Sequence, residues 1–460
     1  MNYSEAREYL KNVNKLGSIL GLNTIKELLK RLGNPQNELK VVHIAGTNGK
    51  GSIMTFVQNI LMESGYKVGR YCSPAVFNER EIIRINDEYI SEEQSADLLT
   101  RIKEKCDSMY SEGLPHPTSF EIETAEALMF FKEQNCDIAL IECGMGGETD
   151  ATNVFEKVLC SVIATISLDH TQFLGSTIEE ITKVKSGIIK ENCPVVMSKQ
   201  TVEAENVIKK VCKQNNSKLI IPTEQDFENV EIDGLITKVT YKASNNKEYI
   251  LNLQALGTYQ IKNAKTAVEV ALVLDKALTE KTNICDESDK NNGTGMKNNI
   301  NNSGNTIEKN IKKGIEKTVW PGRMEVISKE PLIIIDGAHN PGAVLELRKT
   351  LDLYFTNKRI TFIMGVLSDK DFSKEAEIIA DRAERIITIT PNNSRGLDGH
   401  KLAETLVKYN HNVQVADSLK QAAEESIDTI KENRADMILA FGSLSYLGEL
   451  KQVVRLICNH

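Results

Sequence analysis

Apolar positions along the chain fall into short continuous runs, set between longer stretches with helical spacing. Residues 1–39 are helical in pattern, with Leu28, Leu29 and Leu32 on one stripe. The run 40–45 reads as a buried strand and leads directly into Gly46-Thr47-Asn48-Gly49-Lys50-Gly51-Ser52, after which 53–62 reads as a helix. The same order recurs: a strand at 67–72, a helix at 118–131, and strands at 136–141, 158–166 and 194–197. Before the last of these, Thr177 opens a helix with a capping box, because Glu180 lies three residues on. Such alternation predicts a parallel sheet with helices on both faces. Residues 228–254 break the alternation and read as hairpins, and a helix follows over 260–278.

The chain divides on this pattern into an N-terminal domain (1–280), an Asn-rich insertion (281–313), a hinge (314–328) around Trp320-Pro321-Gly322-Arg323, and a C-terminal domain (329–460). The insertion has few large apolar residues and is expected to be disordered, since it buries too little surface to offset its chain entropy. Apolar strands resume at 332–335, 360–364, 386–389, 413–415 and 437–441, a second α/β unit. No short-period repeat is visible.

Composition narrows the classes. With 41% hydrophobic and 26% charged residues over 460 positions, the chain suits an ordinary globular protein of more than one domain. A formal net charge of -8 argues against nucleic acid as a partner, which calls for a basic footprint. Nine cysteines form no C-x-x-C pair and sit largely in apolar runs, so they read as buried thiols in a reducing compartment rather than a zinc site. The charged first residues lack the apolar core of a signal peptide, and no apolar run reaches membrane-spanning length. A cytoplasmic protein is expected.

Chemistry concentrates where strands end. A strand, a Gly-rich turn and a helix aim backbone N–H groups at phosphate. Lys50 can reach the outer phosphates and Ser52 can offer its hydroxyl to Mg²⁺. The generic phosphate-loop pattern is met imperfectly, because Ile44 stands at its first Gly and Gly51 separates Lys50 from Ser52. Ser73, Glu142, and Asp169 with His170 each follow or end a predicted strand. In an open parallel sheet these positions converge on one edge, and an acid there commonly serves Mg²⁺. Lys185 has Ile181, Ile188 and Ile189 at helical spacing, whereas Lys183 faces Glu179 and Glu180. Lys185 is therefore either a buried lysine whose lowered pKa lets the neutral amine take up CO₂ as a carbamate, or a snorkelling one. In the second half, Asp336-Gly337-Ala338-His339-Asn340-Pro341-Gly342 follows a strand like a ligand-facing turn. Phe441-Gly442-Ser443-Leu444-Ser445 and Asp369-Lys370-Asp371 are weaker signals of the same kind.

Taken in order, these motifs resemble the folylpolyglutamate synthase / dihydrofolate synthase family, within the Mur ligase superfamily. The likeness rests on Leu20-Gly21-Leu22 to Leu32-Gly33-Asn34-Pro35, the loop 46–52 with its extra Gly51, Ser73-Pro74, and Glu142-Cys143-Gly144-Met145-Gly146-Gly147 with Asp150-Ala151-Thr152-Asn153. It continues through Leu168-Asp169-His170, Lys185-Ser186-Gly187-Ile188-Ile189-Lys190, Trp320-Pro321-Gly322-Arg323 and Asp336-Gly337-Ala338-His339-Asn340-Pro341. The resemblance implies an α/β fold with a P-loop parallel-sheet N-terminal domain and a smaller Rossmann-like C-terminal domain. It implies ATP held by Thr47, Asn48, Gly49, Lys50, Gly51 and Ser52, with Asn263, Arg323, Asp336 and His339 on the ATP side of the domain cleft. It implies Mg²⁺ served by Ser52, Ser73, Glu142 and His170, a carbamylated Lys185, and a pterin-bearing substrate near Phe120, Glu121 and Thr124. Lys50, Lys185 and His170 are the implied catalytic set.

The implied reaction joins L-glutamate to folate or dihydropteroate through an acyl phosphate, in a monomer with no membrane or nucleic-acid partner. Two departures bear on the substrate: Ile82 stands where the family usually has Arg after Glu81, and Glu148 stands where an Arg often follows the Gly-Gly pair. A Mur-type ligase acting on another carboxylic acid, and a P-loop ATPase used as a switch, remain alternatives.

Overall fold

The computed structural model describes residues 1–13, 21–223, 230–288 and 306–458. The N-terminal sheet holds β1 (Val41–Ala45), β2 (Val68–Tyr71), β3 (Ile83–Ile85), β4 (Glu88–Tyr89), β5 (Ile138–Glu142), β6 (Cys160–Ile163), β7 (Val195–Met197) and β8 (Leu219–Ile220). Their spatial order is β4-β3-β2-β5-β1-β6-β7-β8, parallel from β2 to β8, with β3 and β4 added antiparallel at one edge. β1, β5 and β6 are buried along their whole length. This is why they read as unbroken apolar runs rather than alternating ones.

β1 lies between β5 and β6, with Ile44 beside Glu142 and Ala45 beside Ile163. The crevice at the carboxyl ends of these three strands is therefore lined by the segments that follow them. Helices Lys50–Glu63 and Thr258–Ser288 cover one face, and helices Glu92–Ser111 and Ser119–Glu133 belong to the core on the other. An antiparallel sheet of β9 (Val230–Asp233), β10 (Ile236–Lys242) and β11 (Glu248–Leu253) occupies the region expected to form hairpins. Its inner residues Val239, Tyr241, Leu251 and Leu253 join the first core.

The C-terminal sheet comprises β12 (Glu325–Lys329), β13 (Leu332–Ile335), β14 (Ile360–Met364), β15 (Arg385–Thr388), β16 (Val413–Val415) and β17 (Met437–Phe441). The order is β12-β13-β17-β14-β15-β16, parallel apart from β12. Helices on its two faces close separate cores, so both sheets have the predicted doubly covered form.

The segment expected to be disordered differs in part. Residues 281–288 continue helix Thr258–Ser288, and Ile307–Glu316 is a helix that packs on Lys50–Glu63. Ile307, Ile311 and Ile315 recur at four-residue spacing and are buried, while Gly314 allows close approach: a Cβ there would lie 2.4 Å from Ile60 Cα. The abundance of asparagine hid this stripe. The rest of the Asn-rich stretch, 289–305, lies outside the described residues.

Candidate active site

The loop after β1 is shaped by its glycines. Gly49 has φ +88°, a left-handed conformation that a side chain resists, and a Cβ there would meet Asn263 Oδ1 at 2.6 Å. Gly51 is required by space instead, because a Cβ would lie 2.8 Å from Trp320 Cζ2. The extra glycine thus makes room for the hinge tryptophan, whose ring also carries the Arg70 guanidinium 5.1 Å from its centroid. Thr47 and Asn48 donate their backbone N–H groups to Thr165 O beyond β6, at 2.8 and 3.0 Å. Ser52 is buried in the first turn of helix Lys50–Glu63, whose N-terminus faces the loop.

Lys50 Nζ donates to the carbonyls of Gly46 and Thr47 at 3.1 and 3.2 Å and lies 3.6 Å from the Glu142 carboxylate. The Cys72 thiol donates to Glu142 Oε2 at 2.6 Å, and Ser73 is the next residue in the chain. Lys185 ends helix Ile178–Lys185, is 4% exposed and donates Nζ to Gly46 O at 3.0 Å; Lys183 is exposed. Burial, with Lys50 nearby, brings the Lys185 pKa down to about 8. His170 is exposed, in a left-handed conformation with φ +51°.

The cleft between domains is bridged by a polar network. Asn48 and Asn340 exchange side-chain amide hydrogen bonds at 3.2 and 3.1 Å. Asn340 also donates to Asp169 Oδ2 at 3.2 Å, and Lys370 Nζ pairs with Asp169 Oδ1 at 2.8 Å. Both side chains of that ion pair are about nine-tenths buried. Burial opposes the charge of Asp169, but the Lys370 ammonium outweighs it and holds the carboxyl below its ordinary range. Lys370 and Asn340 were the residues sequence reasoning undervalued. The signal present was their place in the Asp-Lys-Asp and Asp-Gly-Ala-His-Asn turns after strands.

The remaining C-terminal residues organise the loop after β13. Asp336 is buried and accepts from the Tyr259 hydroxyl at 2.6 Å and from the backbone N–H groups of Met324 and Ala338, both at 2.8 Å. It ties the hinge to the turn, and its carboxylate has little capacity left for a ligand. Arg323 Nη1 donates to Gly322 O at 3.0 Å and packs over Gly337. His339 Nδ1 donates to Gly337 O at 2.7 Å, and burial pushes its pKa down to about 4, so the neutral ring keeps Nε2 as an acceptor.

A cavity of about 650 Å³ extends from Ser73 and Gly144 to Arg7 on the first helix. Phe120 and Glu121 line it, and so do Ile82 and Glu148, the two departures. Glu121 also accepts from Thr118 N at 2.7 Å in a capping box. Thr124 stands behind the wall, its hydroxyl bonded to Phe120 O at 2.7 Å.

Among the described residues no three His, Cys, Asp or Glu side chains converge on one point. Glu142 is a buried carboxylate next to Lys50, and Ser52 is a buried hydroxyl in the first turn after the loop, hard oxygen groups of the kind that would hold Mg²⁺. The residues present fit that ion.

Family models match residues 44–271 as a Mur ligase middle domain and 322–444 as a Mur ligase glutamate ligase domain. A dihydrofolate synthase/folylpolyglutamate synthase of Bacillus subtilis is 30% identical, covering 98% of each chain. A folylpolyglutamate synthase of Thermotoga maritima of known structure is 31% identical, with TM-score 0.78 over 98% of this chain and 96% of that one. A structure described as an FPGS–AMPPCP–folate complex superposes with TM-score 0.80 at 27% identity, over 99% of this chain and 100% of its own. With the two-domain α/β fold and the loop geometry above, this chain belongs to the dihydrofolate synthase/folylpolyglutamate synthase family of Mur ligases.

Proposed function

We propose that this protein is an ATP-dependent ligase that joins L-glutamate to the carboxylate of dihydropteroate or a folate. The observation that carries the reading is the meeting of Lys50, Glu142 and Lys185 at one phosphate loop, beside a cavity sized for a pterin-bearing acid and below a cleft bridged from both domains. In the first step an acceptor carboxylate oxygen attacks the γ-phosphorus of ATP and ADP leaves. In the second the neutral amine of L-glutamate attacks the acyl carbon, phosphate leaves, and the amine proton passes to solvent.

The backbone N–H groups of the loop and Lys50 hold the phosphates; Thr47, Asn48 and Asn263 keep the loop in place. Ser52, Ser73 and Glu142 would hold Mg²⁺, with His170 near the same phosphates, and the ion supplies charge neutralisation between phosphate oxygens. Lys185, if carbamylated, adds a carboxylate beside Lys50. Arg323 and His339 face ATP from the C-terminal domain, and closure of the cleft excludes water from the acyl phosphate. Phe120 and Glu121 line the acceptor's cavity, and Thr124 supports Phe120 from behind.

The test is phosphate release from Mg-ATP with L-glutamate, comparing dihydropteroate, tetrahydrofolate and no acceptor. Release that requires both an acceptor and L-glutamate is expected. Release without any acceptor would instead identify an ATPase.

A further inference from the structure

The acceptor cavity is acidic. Among the described residues its walls carry Glu79, Glu121, Glu123, Glu148 and Asp150 against a single cation, Arg7. Arg7 is already engaged, 2.9 Å from Glu79 and 3.7 Å from Glu123. Ile82 offers no charge. Glu121 and Asp150 are buried and accept from backbone N–H groups of Thr118, Met145 and Thr152, and burial pushes the carboxyls of Glu121, Glu123 and Asp150 toward the neutral form. Glu148 is then the exposed carboxylate of the wall that does not share Arg7, and it repels a ligand carboxylate that stays ionised.

The position of Glu148 sharpens this. Its N–H donates to Val184 O at 2.9 Å, and it follows Gly147, where a Cβ would lie 2.7 Å from Lys185 O. Glu148 is thus pinned against the helix whose last residue, Lys185, reaches the phosphate loop. It is an exposed side chain lining the cavity together with Val184, the residue before Lys185. A pteroate acceptor brings only the carboxylate that reacts. A glutamylated folate has a second, which remains ionised beside the reacting one, and each added glutamate brings another.

Resting on the ligase reading above, we infer that this enzyme selects acceptors with a single carboxylate. Dihydropteroate is its preferred substrate, and glutamylated folates are disfavoured by charge. The experiment measures kcat/KM for dihydropteroate, tetrahydrofolate monoglutamate and tetrahydrofolate triglutamate, at low and high ionic strength, in the native enzyme and in Glu148→Arg. The expected order is dihydropteroate over monoglutamate by about tenfold or more, with the triglutamate lower again, and a gap that narrows as salt screens the wall. Glu148→Arg should move the ratio toward the monoglutamate by about tenfold. Its side chain is solvent-exposed, and the salt series on the native enzyme tests the same point without a variant. Equal use of the acceptors, a preference for folates, or a preference that salt does not change would each overturn the inference while leaving the ligase standing. Failure to attach glutamate to any acceptor would overturn the ligase reading itself.

Discussion

The role proposed for Lys185 sets activity against stability in a way that can be measured. Its ammonium is 4% exposed and its pKa falls from 10.5 to about 8. At pH 7.5 about one-quarter of such an amine is neutral, against about one part in a thousand for an ordinary lysine. Only the neutral amine adds to CO₂, so the burial raises the reactive fraction by about two orders of magnitude. The same shift weakens the fold. Because the folded pKa is the lower one, the unfolded chain binds more protons between about pH 8 and 10.5, and stability rises with pH across that window. Below it the charged lysine costs about 3 kcal/mol, from a gap of 2.5 pH units.

Lys185→Met keeps the volume and removes the charge. In CO₂-free buffer at pH 7 it should unfold at higher urea concentration than the native protein, by up to about 3 kcal/mol, with the difference shrinking toward pH 10. Its turnover should fall by about a hundredfold or more, as when a charged group aimed at a phosphoryl transfer is lost. Added bicarbonate should stimulate the CO₂-depleted native enzyme and not the variant. A variant less stable at pH 7, or one that keeps its turnover, would refute the reasoning.

Three further outcomes are expected. Gly51→Ala should push Trp320, the chain's sole tryptophan, out of contact with the loop; its emission should shift to the red while the KM for ATP rises about tenfold, and unchanged emission would contradict the packing. Asp169→Asn leaves Lys370 without its 2.8 Å partner, a loss of about 3–5 kcal/mol for a pair this buried. It should appear as a lower kcat/KM through poorer closure, and a double-mutant cycle with Lys370→Met should show coupling. Ile311→Ala should lower stability by about 2–5 kcal/mol in urea unfolding, since Ile311 is wholly buried between helices.

Most of the architecture was legible because buried parallel strands announce themselves. β1, β5, β14 and β17 are runs of apolar residues with polar punctuation at their carboxyl ends, and the chain places its chemistry at those ends. Two kinds of element were not legible. The short strand β3 and the edge strand β12 are only partly buried and the edge strand β4 is exposed, so their pattern does not separate from loop. Helix Ile307–Glu316 was masked by composition: its three isoleucines are a sufficient stripe only because the groove beside Ile60 admits Gly314, and that groove is a tertiary fact.

The same division runs through the site. Lys50, Glu142 and Lys185 stand out in the sequence because each is tied to its own strand end or helix stripe, a local signal, and the fold brings all three to the loop after β1. The Asp169–Lys370 pair and the Asn48–Asn340 exchange join positions 201 and 292 residues apart, and no local pattern records them. Gly51 stands between these cases. It reads in sequence as an error in a phosphate-loop motif, and its reason lies on the far side of the fold, in the ring of Trp320. A loop that must admit a residue from the hinge responds to the position of that hinge. Through Gly51 the phosphate site and the inter-domain geometry therefore share one contact, and a change at either should be felt at both.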